Sequence, residues 1–327
     1  MPSRNSMHCR RRLFAAAFLA LPLLAAAQVQ SYPNRPVRIF VGYAPGGGSD
    51  IIARLMGINL QTRLAQPVVV ENRPGAGGNI ASETVARAPA DGYTLLLAPN
   101  TIAINPFLYS KLAIDVARDL TGVAMIANSA VMLVVHPGLA VRSVAELISY
   151  AKANPGRLSY GTPGIGTPQH LATELFKSMT ATDIVHVPYK GGAPAMADLA
   201  GGQIQLSFAA INSALPLVQG GKLRAIAIGD ARRSASLPDT PTIGETVRGY
   251  EVGIWYGIMA PAQTPRDILQ RLNRELMAIV DLPDVRERMI AQGYEKVAGS
   301  PDDMTAMVRA DLDKWGRVVK DAGIRPE

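Results

Sequence analysis

The sequence predicts an α/β fold in which two α/β lobes enclose a ligand cleft. Short apolar runs alternate with helical patterns over residues 37–99, and the same alternation returns over residues 143–229. This order is typical of a parallel sheet with helices on both faces. The C-terminal third of the 327-residue chain is mostly helical. No Ser- or Gly-rich linker separates the two blocks, so we expect strands to cross between the lobes.

The first block contains five predicted elements. Strands are predicted over residues 37–43, 67–72 and 93–99, and helices over residues 50–64 and 79–88. In the first helix, Ile51, Ile52, Leu55 and Leu60 recur close to the 3.6-residue period of an amphipathic helix. Open parallel sheets bind ligands beyond the carboxyl ends of their strands, so we expect function in the loops that follow these strands.

The second block repeats this organisation. Ser143 and Glu146 are predicted to form a capping box ahead of a helix over residues 147–153. The other predicted elements are strands over residues 157–162, 183–189, 203–210 and 222–229 and helices over residues 168–179 and 194–202.

Two helix starts are predicted in the C-terminal third. Thr264 before Pro265 and Ser300 before Pro301 combine an N-cap residue with proline at the first helical position. An apolar stripe at helical spacing follows Pro301, and we expect it to face the core. The stripe comprises Met304, Met307, Val308, Leu312, Trp315 and Val319.

The first 27 residues have the pattern of a secretory signal peptide. A basic segment with four arginines precedes an apolar run over residues 13–24, and three alanines end at Ala27. The apolar run is shorter than the roughly 20 residues that span a bilayer. Residues 11–14 partly match a twin-arginine signal, so the export route stays open. We therefore predict a periplasmic protein that is cleaved near Ala27.

Composition argues against several functions. Without residues 1–27 the chain carries 29 basic and 26 acidic residues, and this mild net charge of +3 gives no case for nucleic-acid binding. The only cysteine, Cys9, lies in the signal segment. His136, His170 and His186 are scattered and match no zinc motif. We therefore predict no metal, no cofactor and no catalysis.

Three loops combine glycine with Ser, Thr or Asn just before a predicted helix. They cover residues 44–50, 73–82 and 161–170. Such loops direct backbone N–H groups outward, and a helix N-terminus adds roughly half a positive charge, which together favour an anion. Ser49 and Thr167 either cap these helices or contact the ligand. His170 follows the third loop and could donate to a carboxylate.

A nucleotide is the main alternative ligand for the first loop. Residues 37–72 resemble a dinucleotide-binding unit, with a strand, glycines, a helix and a second strand. The third glycine of the fingerprint would fall at Ile51, whose branched side chain obstructs close helix–strand packing. This mismatch and the export signal argue against a nucleotide. An exported nucleotide-dependent oxidoreductase is kept as the alternative, which titration with NADH would test.

The mature sequence resembles the periplasmic solute receptors of tripartite tricarboxylate transporters, known as Bug receptors. The resemblance covers nearly all of it and rests on "YAPGGGSD", "VVVENRPGAGGNI", "ADGYTLLL", "LSYGTPGIGTPQHLATELF", "HVPYKGGAPAMADLAGGQI" and "GKLRAIAI". It implies a type II periplasmic-binding-protein fold. We predict one lobe over residues 28–128 plus 251–327 and the other over residues 129–250.

The resemblance also implies that two loops hold a carboxylate as a pincer. Combined with the positions at strand ends, it gives a predicted ligand site made of Tyr43, Ala44, Gly46, Gly47, Gly48, Ser49, Asp50, Asn100, Thr101, Thr162, Gly164, Gly166, Thr167, His170, Tyr189, Lys190 and Asn212. Gln205 departs from the family pattern, in which an acidic residue is common. Asp50 either favours the helix dipole or meets an ammonium group or water.

The implied partners are a small carboxylate and the membrane permease subunits of the transporter. We expect a monomer that delivers a di- or tricarboxylate or an aromatic acid to that permease. A receptor that serves a sensor kinase is the other reading.

Overall fold

Residues 32–324 are described by a computed structural model, and the predicted signal peptide lies outside them. The first elements are β1 (Val37–Val41), α1 (Gly48–Leu64), β2 (Val68–Asn72), α2 (Asn79–Ala86), β3 (Thr94–Pro99), α3 (Thr101–Ile104), α4 (Val116–Asp119) and β4 (Leu120–Val135). The next are α5 (Val144–Ala153), β5 (Ser159–Thr162), α6 (Pro168–Thr180), β6 (Val185–Pro188), α7 (Gly192–Ala200), β7 (Leu206–Ala210), α8 (Ile211–Gln219) and β8 (Arg224–Ile228). The last are β9 (Gly253–Pro261), α9 (Arg266–Val280), α10 (Pro283–Ala291), β10 (Glu295–Gly299) and α11 (Pro301–Asp321).

The strands form a mixed sheet in the order β2-β1-β3-β9-β4-β7-β5-β6, with β8 and β10 also paired to β4. Strand β1 is parallel to β2 and β3, and β5 is parallel to β6 and β7, as the alternating sequence pattern predicts. Strands β8, β9 and β10 pair antiparallel, so the expectation of a wholly parallel sheet is wrong.

Strand β4 connects the two halves of the sheet. Its first part, residues 120–130, pairs with β9, and its last part, residues 131–135, pairs with β7 and β8. All of its residues except Thr121 and Asn128 are buried, so it has no apolar–polar alternation, and the sequence patterns missed it. The expected strand crossover is present, and it helps to make the described residues part of one compact unit.

Helix starts follow local sequence in two cases and depart from it in a third. Thr167 caps α6, which is one of the two roles that the sequence left open for it, and Ser300 caps α11 as predicted, in a reciprocal box with Asp303. The predicted N-cap at Thr264 is wrong. Helix α9 begins one residue later, after Pro265, and the Thr264 hydroxyl donates instead to the Pro261 carbonyl at 2.8 Å.

Two further details differ from the sequence prediction. Ser143 caps α5, but the Glu146 side chain accepts from the N–H of Arg142 rather than completing a box with Ser143. Met307 is 41% exposed, whereas Met304 and Trp315 of the same predicted stripe are buried.

A half-buried carboxyl group lies where β4, β8 and β9 meet. The Asn128 amide on β4 donates to Asp230, two residues after β8, at 2.8 Å. A Cβ built on Gly253 of β9 would lie 2.6 Å from Asp230 Oδ1. Burial raises the pKa of Asp230 to about 6, despite the hydrogen bond from Asn128. The folded protein therefore holds a proton on Asp230 over a pH range in which the unfolded chain has lost it.

Replacing Asp230 with Asn is expected to stabilise the protein at pH 8 by about 1–2 kcal/mol, because the buried charge is removed while an acceptor for Asn128 stays in place. The stability that depends on the protonated carboxyl is present below pH 4 and is lost as the pH rises through about 6. Urea unfolding at pH 8 and pH 5 measures both proteins. A variant that is less stable than the wild type at pH 8 would contradict this account.

Candidate ligand-binding site

The first arm, which we define as residues 43–50, ends in an uncapped helix. Gly47 occupies the N-cap position of α1 and has no side chain to accept a hydrogen bond. The first hydrogen bond of the helix runs from Ile51 N to Gly47 O at 3.0 Å. The N–H groups of Gly48, Ser49 and Asp50 have no partner within residues 32–324. Free N–H groups at the positive end of a helix dipole are suited to binding an anion.

Asp50 is buried in the first turn of α1, and its negative charge is paired with groups inside the protein. Its carboxylate accepts from Gly46 N at 2.8 Å, Arg54 Nε at 3.0 Å and Asn72 Nδ2 at 2.9 Å. Burial alone would raise the pKa of Asp50, but these hydrogen bonds and the Arg54 charge lower it below its usual value. Asp50 therefore stays ionised and holds the loop, so its negative charge is already paired.

Tyr43 also serves the loop rather than pointing free into a cleft. Its hydroxyl donates to Gly77 O at 2.9 Å and lies 2.5 Å from Thr101 Oγ1. The carbonyl of Tyr43 accepts from Asn72 Nδ2 at 3.0 Å. Residues 44–47 between Tyr43 and α1 are exposed. Tyr43 and Thr101 thus fix the base of the first arm, and its tip presents backbone.

The second arm, residues 162–170, repeats the construction of the first. The N–H of Gly166 donates to Nδ1 of His170 at 3.0 Å, as the N–H of Gly46 donates to Asp50. Both glycines have positive φ, +73° and +82° respectively, which turns their N–H groups back onto the helix. In each arm, a side chain at the third helical position holds the glycine that precedes the N-cap.

The two arms differ in how many N–H groups stay free. The Thr167 hydroxyl caps α6 by accepting from His170 N at 3.3 Å and itself donates to Gly164 O at 2.8 Å. Proline at position 168 has no N–H. Only the N–H of Gln169 remains without a partner among the described residues of this helix start. The first arm is therefore the stronger anion site.

His170 belongs to a stack of three rings beneath the second arm. The His170 and His186 rings lie 4.1 Å apart, and His186 stacks on Tyr160 at 4.8 Å. His186 Nε2 lies 2.7 Å from Thr162 Oγ1, so Thr162 faces this stack. Burial, with the nearby His186 and Lys177, lowers the pKa of His170 to about 3. Because Nδ1 accepts from Gly166, the proton of the neutral ring is on Nε2.

Ligand affinity is expected to be independent of His170 protonation between pH 5 and pH 8. A pKa of about 3 keeps the ring neutral over this whole range, so the Gly166 contact is retained. Titration calorimetry with a small dicarboxylate checks this from pH 6 to pH 8, where the carboxyl groups of the ligand stay mostly ionised. A drop of more than threefold between pH 8 and pH 6 would show that His170 protonates in the site.

A third helix N-terminus lies beside the second arm. Helix α7 begins after Gly191, which has no side chain to cap it and whose N–H donates to Pro163 O at 2.9 Å. Tyr189 donates to Asp198 at 2.7 Å and is thereby occupied inside the fold. Lys190 is exposed. The start of α7 thus adds uncapped N–H groups next to the second arm.

The predicted asparagines fall at two different places. Asn100 is 1% exposed and donates to Gly253 O at 3.0 Å, while its Oδ1 atom has no hydrogen-bond partner. Asn212 is exposed at the start of α8. Gln205, the departure from the family pattern, accepts from the N–H and the hydroxyl of Ser159 and so has an internal role.

Both arms meet the segment that follows β3. Tyr43 contacts it through Thr101, and a Cβ built on Gly166 would lie 2.2 Å from Leu108 Cδ1. The structure therefore brings the two predicted loops to opposite ends of the short segment 101–108.

Two tyrosines at the first arm are missing from the sequence prediction. A Cβ built on Gly48 would lie 2.6 Å from the Tyr294 hydroxyl and 2.9 Å from the Tyr256 hydroxyl. Tyr256 lies in β9, and Tyr294 directly precedes β10. Both are more than 200 residues away from Gly48 in sequence, and neither belongs to a loop motif, so no local signal could have identified them.

Two α/β halves joined by a shared strand, with glycine-rich helix starts at the strand ends, define a solute-binding protein of the periplasmic type. A family model described as the tripartite tricarboxylate transporter family receptor matches residues 52–324, and the chain belongs to this family. The predicted type II periplasmic-binding-protein fold is confirmed. Within residues 32–324, no helix has the length and apolar character that a membrane span requires.

Named relatives are similar over almost their whole length. Protein BugT of Bordetella pertussis is 36% identical over 316 residues, covering 95% of each chain. Among solved structures, R. palustris Rpa4515 with adipate is 40% identical with a TM-score of 0.78, covering 90% of this chain and 100% of that one. MatC of Rhodopseudomonas palustris with bound malate is 30% identical with a TM-score of 0.71, covering 88% and 100%.

Proposed function

We propose that this protein captures a small organic carboxylate in the periplasm and delivers it, chemically unchanged, to the permease of a tripartite tricarboxylate transporter. The observation that carries the proposal is the uncapped start of α1, where three N–H groups lack partners within the described chain. Similar proteins with adipate and malate support the same ligand class.

The ligand is held mainly by neutral groups. One carboxylate binds the N–H groups of Gly48, Ser49 and Asp50, and the Ser49 hydroxyl adds a further donor. The second arm and the start of α7 contribute fewer N–H groups from the other side. A handful of such bonds supports micromolar affinity, about −8 kcal/mol. Lys190, being exposed, attracts anions but adds less than about 1 kcal/mol.

The arms favour a ligand with a hydrocarbon skeleton. Apart from Asp50, which is already paired, residues 43–50 and 162–170 contain no Asp, Glu, Lys or Arg. Ile165 at the tip of the second arm is 58% exposed, and Ala44 and Pro45 are exposed on the first. A tricarboxylate would find no counter-charges here, whereas a mono- or dicarboxylate with an apolar body matches these surfaces.

The remaining features of the proposal concern the whole receptor. The lobes cover residues 28–128 plus 251–327 and residues 129–250, and the change of partners along β4 at residues 130–131 supports this division. Ligand binding closes the lobes about the crossing strands, and the permease recognises the closed monomer. The signal peptide is removed near Ala27.

A thermal-shift screen of the exported protein with adipate, malate, citrate, benzoate and NADH tests the proposal. We expect adipate or benzoate to raise the Tm most and citrate least. A Tm raised by NADH but by none of the acids would contradict the proposal and favour the nucleotide alternative. Capture of a sensor kinase rather than permease subunits by the loaded protein would redirect the function to signalling.

A further inference from the structure

The hydroxyl of Tyr294 lies against the first arm and makes no hydrogen bond within the described chain. Tyr294 is 1% exposed, and its Oη atom has no hydrogen-bond partner. The Tyr256 ring packs edge-on against it, with ring centroids 5.5 Å apart. The Tyr256 hydroxyl is close enough to affect the pKa of Tyr294, but the two hydroxyls lack the geometry of a hydrogen bond. Buried hydroxyls without a hydrogen-bond partner are rare in native proteins, so we expect this hydroxyl to bond a group that the structure does not contain.

The position of the Tyr294 hydroxyl, next to the start of α1, indicates which kind of group it bonds. It lies 2.6 Å from the point where a Cβ of Gly48 would stand, and Gly48 is the first residue of α1. Any larger residue at position 48 would occupy this space. The unpaired hydroxyl and the free N–H groups of α1 are therefore neighbours, and both are suited to the same anion.

The hydroxyl is available as a donor at physiological pH. Burial raises the pKa of Tyr294 above its usual value, and burial likewise raises the pKa of Tyr256. Both groups therefore keep their protons when a carboxylate approaches. A hydrogen bond from a neutral hydroxyl to a carboxylate is stronger than one between two neutral groups.

Tyr294 also lies beside the other half of the protein. A Cβ built on the preceding residue, Gly293, would lie 3.0 Å from Ile211 Cγ2 and 3.3 Å from Asn212 Cβ at the start of α8. The segment 293–294 thus contacts α8 with its backbone and α1 with its side chain. A ligand that engages the hydroxyl would fix a segment that both halves share.

We propose that Tyr294 is a ligand-binding residue of the first arm, whose hydroxyl donates a hydrogen bond to the carboxylate held at the start of α1. This inference rests on the proposed function. Tyr256 holds the Tyr294 ring edge-on, and Gly48, which has no side chain, lets the Tyr294 hydroxyl lie directly against the start of α1.

The test compares Tyr294→Phe with Tyr250→Phe. Tyr250 is a matched control, because it is equally buried but its hydroxyl donates to Ala172 O at 2.8 Å. Affinity for adipate, malate and benzoate is measured by calorimetry, and the Tm of each ligand-free protein by calorimetric scanning. Tyr294→Phe is expected to weaken binding about 10- to 100-fold without lowering the Tm. Tyr250→Phe is expected to lower the Tm and leave affinity within about twofold.

The outcomes separate this inference from the proposed function. Wild-type affinity in Tyr294→Phe, or a Tm that falls as far as in Tyr250→Phe, would show that the hydroxyl has a structural role and would overturn the inference alone. Wild-type protein that binds none of the three acids would overturn the proposed function and this inference with it. Gly48→Ala, which places a methyl group against both hydroxyls, is expected to weaken binding similarly.

Discussion

Replacing Gly47 with Asp is expected to weaken carboxylate binding more than about 100-fold, or ~2.8 kcal/mol, and to leave the fold intact. Gly47 is exposed and has φ −78° and ψ 168°, a conformation open to any residue. A Cβ there meets only Ala44 O at 3.5 Å. The new carboxylate would cap α1 and occupy the N–H groups that the ligand needs.

The same substitution is expected to raise the free energy of unfolding by a few tenths of a kcal/mol, since Asp is a better N-cap than Gly. Gain of stability with loss of binding is the signature of N–H groups kept free for a ligand. Calorimetry with adipate and urea unfolding measure the two effects. Gly47→Asn separates capping from charge, because it caps α1 without adding an anion. Wild-type affinity in Gly47→Asp would refute the anion site at α1.

The two arms could be predicted because their signals are local. A strand, a run of glycines and a helix start lie within ten residues in each case, and the uncapped or capped state of the helix follows from Gly47 and Thr167. The roles of the side chains could not be predicted. Tyr43, Thr162 and Tyr189 are predicted ligand residues, and the internal hydrogen bond that each hydroxyl makes in the fold has no signal in the sequence.

The missing part of the site comes from long-range packing. Tyr256 and Tyr294 reach Gly48 only because β9 pairs with β3 and because the segment before β10 packs against α1. Strand β4, which carries the crossover, is buried along most of its length and shows no apolar–polar alternation, and such segments are ambiguous between strand and helix. Contacts between distant segments produce no periodic pattern in the sequence, so they could not be predicted from it.

Asp50 carries a negative charge at a proposed carboxylate site, and the structure shows how the two are compatible. A negative charge at a carboxylate site would repel the ligand if it were unpaired. In the fold it is 3% exposed and bonded to Arg54, Asn72 and the Gly46 N–H, so its charge is compensated below the helix end. Asp50 lies in the first turn of α1, where the helix dipole favours it, and its bonds also hold the loop in place.

Replacing Asp50 with Ala is expected to lower the free energy of unfolding by about 2–3 kcal/mol and to abolish measurable binding. The change leaves the Gly46 N–H and one N–H of the Asn72 amide without an acceptor, although Arg54, half exposed, can turn to solvent. Because folding lowers the pKa of Asp50, its contribution is present above about pH 4 and is lost as the pH falls through the folded pKa. Urea unfolding and calorimetry with adipate measure both effects.

The matched control is Glu71→Gln. Glu71 also pairs with an arginine, accepting from Arg38 at 2.5 and 2.7 Å, but this pair is on the surface. Its loss is expected to cost less than about 1 kcal/mol and to leave affinity unchanged. If both variants lost similar stability, Asp50 would be an ordinary ion pair. A larger loss at Asp50, accompanied by loss of binding, would show that this carboxylate sets the loop geometry on which the anion site depends.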